Sequence, residues 1–256
     1  QGRLFRKKDD RTLVIVASDH GQSATHTHID LEGIIRKRFR KTMSYKRFAT
    51  RYFDIDAVVM PSGNGMANVY FRGNCWSGER PDLSDLSKPW CNAVNDLLQL
   101  EGIDILAYRK GERGIVIKSA RGEAEAFIGD SGINYVVRGK DPFGWPGLPE
   151  KMTFEVELAL TFDTDYPDAL VSLLTLMESR RSGDMIVTSK IGYDLRNWWE
   201  YQEPRGSHGS LHREHSLVPL LTNAPIDEKP VRTVDIFPMI LKLTGKEIPE
   251  GIDGRF

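Results

Sequence analysis

Residues 12–21 read TLVIVASDHG, an apolar run followed by polar residues and a glycine. Its apolar part, residues 12–17, is a continuous run rich in β-branched side chains, which is typical of a strand buried on both faces of a parallel sheet. The run ends at Asp19, His20 and Gly21, so a carboxylate and an imidazole follow the predicted strand directly. Successive strand residues point to opposite faces, so Asp19 and His20 can both reach one metal ion only if the chain turns there. Gly21 permits such a turn.

A strand–loop–helix pattern follows and returns near the end of the chain. Residues 30–39, DLEGIIRKRF, have helical apolar spacing, with Asp30 as the predicted N-cap. The later elements are a helix over 166–183, a strand over 184–192, a strand within 216–225 and a closing helix over 233–245. Such repeats are typical of α/β folds. We therefore predict an α/β fold with a mostly parallel sheet flanked by helices.

The section from 45 to 150 has a different pattern. Two antiparallel hairpins and one helix are predicted there: strands within 56–73 joined by a turn at 62–65, strands within 103–128 joined at 110–114, and a helix over 90–102. We interpret residues 45–150 as an α+β cap segment inserted into the core. The core itself is assigned to residues 1–44 and 151–256.

Composition excludes several classes of protein. The 256 residues include 35 basic and 36 acidic side chains, a net charge of −1 that argues against a nucleic-acid partner. The basic run at 36–41 is interpreted as a solvated helix face. No stretch is long and apolar enough to span a bilayer, so we expect no membrane partner. Cys75 and Cys91 are either free thiols or one disulfide; free thiols would favour the cytoplasm, although the compartment stays open.

A second histidine motif lies at 206–215, GSHGSLHREH. Gly206 and Gly209 flank His208 and allow its backbone to approach a metal or a phosphate closely. His212 and His215 are interpreted either as solvated loop side chains or as supports of a site. His26 and His28 alternate on an extended segment, so ligand, substrate-facing and solvated roles all stay open for them.

Carboxylate oxygen and imidazole nitrogen together suit zinc and also manganese. The alternative for the first motif is a helix-capping Asp19 beside a hydrogen-bonded loop His20. Other chemistries have no motif here, because the chain contains no Walker loop, no GxGxxG after a strand and no GxSxG elbow.

Four stretches taken in order resemble the alkaline phosphatase superfamily, and within it the type I phosphodiesterase/nucleotide pyrophosphatase family. They are TLVIVASDHG at 12–21, YPDALVSLLTLMESRRSGDMIVTS at 166–189, GSHGSLHREHSLVPLLTNAP at 206–225 and VRTVDIFPMILKLTGKEIPEGIDGR at 231–255. Their order and spacing agree with the C-terminal portion of that family across nearly the whole chain.

The resemblance implies a phosphoric ester hydrolase with two divalent metal ions, zinc or alternatively manganese. Asp19 and His20 would bind one ion and His208 the other. A Thr or Ser nucleophile would attack phosphorus and form a covalent intermediate that water resolves. The implied substrate is a small-molecule phosphoester, with nucleotides among the candidates.

The chain departs from the family pattern at its start. The family's nucleophile and three further ligands precede the Asp-His strand, and residues 1–11 cannot supply them. No catalytic residue is therefore identified in this chain. We interpret it as the C-terminal part of such an enzyme, with the N-terminal part of the same protein as its partner. Alone it is expected to bind metal weakly and to have little activity; the alternative is a catalytically silent domain used for binding or assembly.

Overall fold

A computed structural model describes residues 12–43, 55–73, 81–83, 88–111, 113–196, 203–226 and 230–255. The chain divides into a larger compact unit, His20–Leu217, and a smaller one made of Gln1–Asp19 and Val218–Phe256. The boundaries predicted at 44/45 and 150/151 both fall inside the larger unit.

The described strands and helices are numbered in chain order. The strands are β1 (Ile15–Ala17), β2 (Ser23–His28), β3 (Thr42–Met43), β4 (Ala57–Ser62), β5 (Met66–Phe71), β6 (Ile103–Lys110), β7 (Gly114–Lys118), β8 (Glu123–Gly129), β9 (Gly132–Arg138), β10 (Lys151–Met152), β11 (Met185–Ser189), β12 (Gly192–Asp194), β13 (Gly206–Ser207) and β14 (Leu220–Thr222). The α-helices are α1 (Leu31–Arg36), α2 (Pro89–Leu98), α3 (Phe154–Thr161), α4 (Ala169–Glu178), α5 (Arg213–Ser216) and α6 (Ile236–Leu243), and a 3-10 turn spans Thr233–Asp235. None of the described helices is long and apolar enough to cross a membrane.

The main sheet of the larger unit has nine strands in the order β10-β9-β8-β7-β6-β11-β5-β4-β3. Its described strand pairs are antiparallel except for β3 with β4. Strand β11 lies between β5 and β6, and all five of its residues are buried. The apolar run of β11 therefore forms the centre of the sheet.

Two hydrophobic clusters cover this sheet. Alternate residues of β6 belong to different clusters, since Leu106 packs in one and Ile105 and Ala107 pack in the other. Successive strand residues point to opposite faces, so the clusters lie on opposite faces of the sheet. Helices α1 and α2 contribute to the first cluster and α4 to the second.

The predicted fold class is wrong. The larger unit is rich in strands and built on a mostly antiparallel sheet, rather than on a mostly parallel sheet flanked by helices. In addition, β11 from the predicted core pairs with β5 and β6 from the predicted cap. The physical reason is that a continuous apolar run indicates burial on both faces of a strand but does not indicate whether the strand is parallel or antiparallel to its neighbours. A central antiparallel strand covered on both faces carries the same pattern as a parallel one.

Several local predictions are confirmed. The turn at 62–65 joins β4 to β5, and β6 is joined to β7 across 110–114. The side chain of Asp30 accepts a hydrogen bond from the Gly33 amide, so it caps α1 as predicted. Helix α2, however, ends at Leu98, earlier than the predicted end at Gly102.

The smaller unit contains the strand predicted over 12–17. It forms only as β1, pairs antiparallel with β14 and is largely exposed, so its predicted burial in a parallel sheet is wrong. Helix α6 and the 3-10 turn follow in the same unit. The Asp235 side chain accepts hydrogen bonds from the amides of Arg232 and Arg255, at 2.8 Å each, and so joins the closing segment to the start of α6.

Candidate functional site

The two predicted histidine motifs meet in the larger unit. The rings of His20 and His208 stack face to face, with centroids 3.6 Å apart and planes inclined by only 3°. These residues lie far apart in sequence, so their contact depends on the fold. These two stacked imidazoles form the centre of the candidate site.

A backbone contact orients the His20 ring. Its Nδ1 atom lies 2.8 Å from the carbonyl oxygen of Gly21. A carbonyl oxygen only accepts hydrogen bonds, so Nδ1 carries the proton and the lone pair of a neutral ring lies on Nε2. This is the arrangement found in many histidine metal ligands, whose second nitrogen donates to a carbonyl or carboxylate.

Gly21 is required for close packing next to His20. Its amide donates to the carbonyl oxygen of His215 at 2.9 Å, and a Cβ at this position would overlap the Glu214 carbonyl. The glycine of the first motif thus lets the end of the second motif approach His20.

The β4–β5 turn holds the backbone of His208. The His208 amide donates to the Gly63 carbonyl at 2.7 Å, and the Gly65 amide donates to the His208 carbonyl at 2.8 Å. Gly63 has a φ of +63°. A Cβ there would overlap the imidazole of His208. A turn within the predicted cap segment therefore positions a predicted metal ligand.

A small sheet attaches the His208 loop to the segment that follows His20. Strand β2 lies between β12 and β13, and β13 pairs with it antiparallel through Gly206 opposite Ala24 and Ser207 opposite Ser23. The Thr25 amide also donates to the Arg205 carbonyl at 3.0 Å. Both histidine motifs are thereby fixed to one strand.

A third histidine of the site, His215, is buried, with 3% of its surface exposed. Its Nδ1 lies 3.2 Å from the Ser210 amide nitrogen and 2.7 Å from Ser210 Oγ, and its Nε2 lies 2.8 Å from Ser23 Oγ. An amide only donates, so Nδ1 accepts and Nε2 donates in a neutral ring. Burial, with a smaller contribution from His212, His208 and His20, lowers the pKa of His215 to about 4.

The remaining histidines have local partners. Both oxygens of Asp194, which is fully buried, lie 2.9 Å from His28 Nδ1, and Glu203 Oε1 lies 2.7 Å from its Nε2. His26 is exposed and contacts the neighbouring Thr27 hydroxyl at 2.9 Å. His212 caps α5 by accepting from the Glu214 amide.

Of the three predicted metal ligands, the structure brings His20 and His208 together. Asp19 lies in the smaller unit, where it is exposed and accepts a hydrogen bond from Ser18 Oγ at 3.4 Å. Within the described ranges, no group of three or more His, Cys, Asp or Glu side chains could hold a metal ion. The described residues thus bring together two of the three predicted ligands, and the metal binding of this pair stays a prediction.

An open groove is present elsewhere on the larger unit. It lies along the β7–β8 and β8–β9 hairpins, and none of the six histidines lines it. Its Lys110 pairs with Glu125 at 2.7 Å, and Arg138 approaches the same carboxylate at 3.5 Å. The Glu125 carboxylate therefore has two cationic neighbours.

Sequence reasoning missed the contribution of the residues that support the pair. No local pattern distinguishes Ser23 or Ser210 from other loop serines, and the sequence indicates the glycine turn at 62–65 only as a hairpin connection. The spacing of His215 from His208 is visible in the sequence, but burial decides its role. Comparison of the chain with models of protein families, with curated proteins and with solved structures gives no match.

Proposed function

We propose that this chain is part of a metal-dependent phosphoric ester hydrolase, similar to a phosphodiesterase or nucleotide pyrophosphatase, in which His20 and His208 bind neighbouring divalent ions. The stacking of these two imidazoles carries the proposal. Ions in two-metal hydrolytic sites lie about 3.5–4 Å apart. The 3.6 Å between the two ring centroids is of the same size, so parallel rings suit one ligand for each ion.

The donor chemistry favours zinc, with manganese as the alternative. When bound, two such ions polarise the phosphoryl oxygens and stabilise the attacking and leaving oxygens. His20 would bind through Nε2, because its Nδ1 proton is held by the Gly21 carbonyl. Asp19 is the third ligand that the family resemblance implies. The nucleophile and the other ligands would come from outside this chain, from the N-terminal part of the same protein.

The proposal predicts activity on small phosphoesters. The full-length gene product would be assayed with p-nitrophenyl phosphate and bis-p-nitrophenyl phosphate in added zinc or manganese. His20→Ala and His208→Ala should each reduce metal-dependent turnover at least about 100-fold, as expected when a metal ligand is lost. His26→Ala is the matched control, because this histidine is exposed and its ring is hydrogen-bonded to the neighbouring Thr27, and it should retain turnover.

The alternative is a catalytically silent domain used for binding or assembly. It is favoured by the small donor set, since the described residues supply no three-ligand group. No turnover by a folded, metal-loaded full-length protein would contradict the hydrolase and support this alternative. Turnover that survives both histidine substitutions would place the reaction elsewhere in the protein.

A further inference from the structure

We propose that His215 is the positioning residue that sets the relative placement of His20 and His208. This inference rests on the proposed function, because it concerns the same pair of imidazoles. It assigns to a third histidine a role that involves no contact with metal or substrate.

The hydrogen bonds of His215 reach both halves of the site. Nε2 donates to Ser23, three residues after His20, and Nδ1 accepts from Ser210, two residues after His208. The three side chains are buried, with exposures of 6% for Ser23, 5% for Ser210 and 3% for His215. A single planar ring thus connects the segments that carry the two stacked imidazoles.

The ring is suited to this task because it is rigid and has one donor and one acceptor on opposite sides. Buried polar groups strongly favour geometries in which all their hydrogen bonds are made. Any shift of β2 relative to the His208 loop would stretch the bond to Ser23 or the bonds to Ser210. The main-chain bond from Gly21 to the His215 carbonyl, at 2.9 Å, fixes the same segment beside His20.

Side chains that support metal ligands change metal affinity by about 10–100-fold when they are removed. We therefore expect His215→Ala to lower the zinc affinity of the full-length gene product by a factor in this range, although His20 and His208 remain. His26→Ala, the matched control, should leave the affinity unchanged. Affinity would be measured by competition with a chromophoric chelator.

A metal-free measurement separates this inference from the proposed function. Stacked rings shift one another's protons upfield, so selectively labelled His20 and His208 should show such shifts in the NMR spectrum of the wild-type chain. His215→Ala should abolish these shifts and His26→Ala should not. A full-length gene product that binds no zinc would contradict the proposed function, and the ring-proton shifts alone would then decide the role of His215.

A folded His215→Ala variant that keeps both the upfield shifts and the zinc affinity of the wild type would overturn the inference. If that variant fails to fold, Ser23→Ala and Ser210→Ala carry the test, since each removes the hydroxyl partner at one end of the bridge. Unchanged shifts in both serine variants would overturn the inference equally, and reduced shifts in either would support it.

Discussion

Strands β11 and β1 begin with similar sequences but differ in their surroundings. β11 contains Met-Ile-Val and β1 contains Ile-Val-Ala. β11 has strands on both sides and a hydrophobic cluster on each face, and all of it is buried. β1 pairs with β14 alone among the described strands, and Val16 is 49% exposed. The difference teaches that an apolar run specifies extended backbone, whereas its sheet neighbours decide whether it forms a core.

The largest expected effect comes from truncating one residue in each strand. Ile186→Ala in β11, where the side chain is 1% exposed, should lower the free energy of unfolding by about 2–5 kcal/mol because it leaves a cavity in packed surroundings. Val16→Ala in β1 should cost less than about 1 kcal/mol, since this half-exposed side chain removes little apolar surface from water. Urea unfolding of both variants would measure the difference, and equal costs would contradict the contrast.

The same contrast between crowded and open surroundings applies to two glycines with left-handed backbone. Gly63 has a φ of +63° and lies against His208, whereas Gly111 has a φ of +61° and an added Cβ there would meet no atom within 4 Å. Both alanine variants should lose about 1–2 kcal/mol of stability through backbone strain. Only Gly63→Ala should also displace His208, weakening zinc binding about tenfold or more.

Zinc competition with both variants, measured alongside urea unfolding, would test this expectation. The Gly111→Ala variant controls for backbone strain, because its conformation is matched and its surroundings are open. Equal zinc affinities in the two variants would show that the turn does not position His208.

Acid should affect the two units differently, because the buried His215 lies in the larger one. Burial lowers the pKa of His215 from 6.5 to about 4. The unfolded chain therefore binds a proton that the folded chain excludes, so stability is full above pH 6.5 and falls as the pH decreases from there to about 4. Urea midpoints across this range should fall less steeply for His215→Gln, and an identical slope would contradict the assignment.

The smallest expected effect concerns two aspartates in different units that accept backbone amides, Asp235 in the 3-10 turn and Asp30 at the start of α1. Asp235→Ala removes the acceptor of two amides in the smaller unit, and Asp30→Ala removes the acceptor of the Gly33 amide in the larger one. Each should cost about 1 kcal/mol, the usual value of a capping side chain. Hydrogen exchange should accelerate at Arg232 and Arg255 in the first variant and at Gly33 in the second. Acceleration spread evenly over the chain would contradict local capping.

Local structure could be predicted from the sequence with good success. The Asp30 cap, the β4–β5 turn and the strand over 185–189 depend on residues within a few positions of one another. The direction of the main sheet could not be predicted in this way. Strand direction depends on hydrogen bonds such as those between β11 and its two neighbours, which join distant segments and leave no trace in the apolar pattern.

For the candidate site, the sequence predicted the two histidine motifs but not the residues that support them. The motifs around His20 and His208 are recognisable in the sequence, and the structure places their rings in contact; their metal binding stays a prediction. The support from Ser23, Ser210 and Gly63 could not be predicted, because each of these residues acts through a partner that no local pattern identifies.

The sequence by itself determined which segments are extended, helical or turning, and where imidazoles and glycines occur together. These properties follow from side-chain sterics and backbone freedom within a few residues. Only the tertiary structure decided that β11 is central and β1 is exposed, and that His215 is a buried neutral bridge. Burial and hydrogen bonding between distant segments are collective, because each depends on where every other segment has packed.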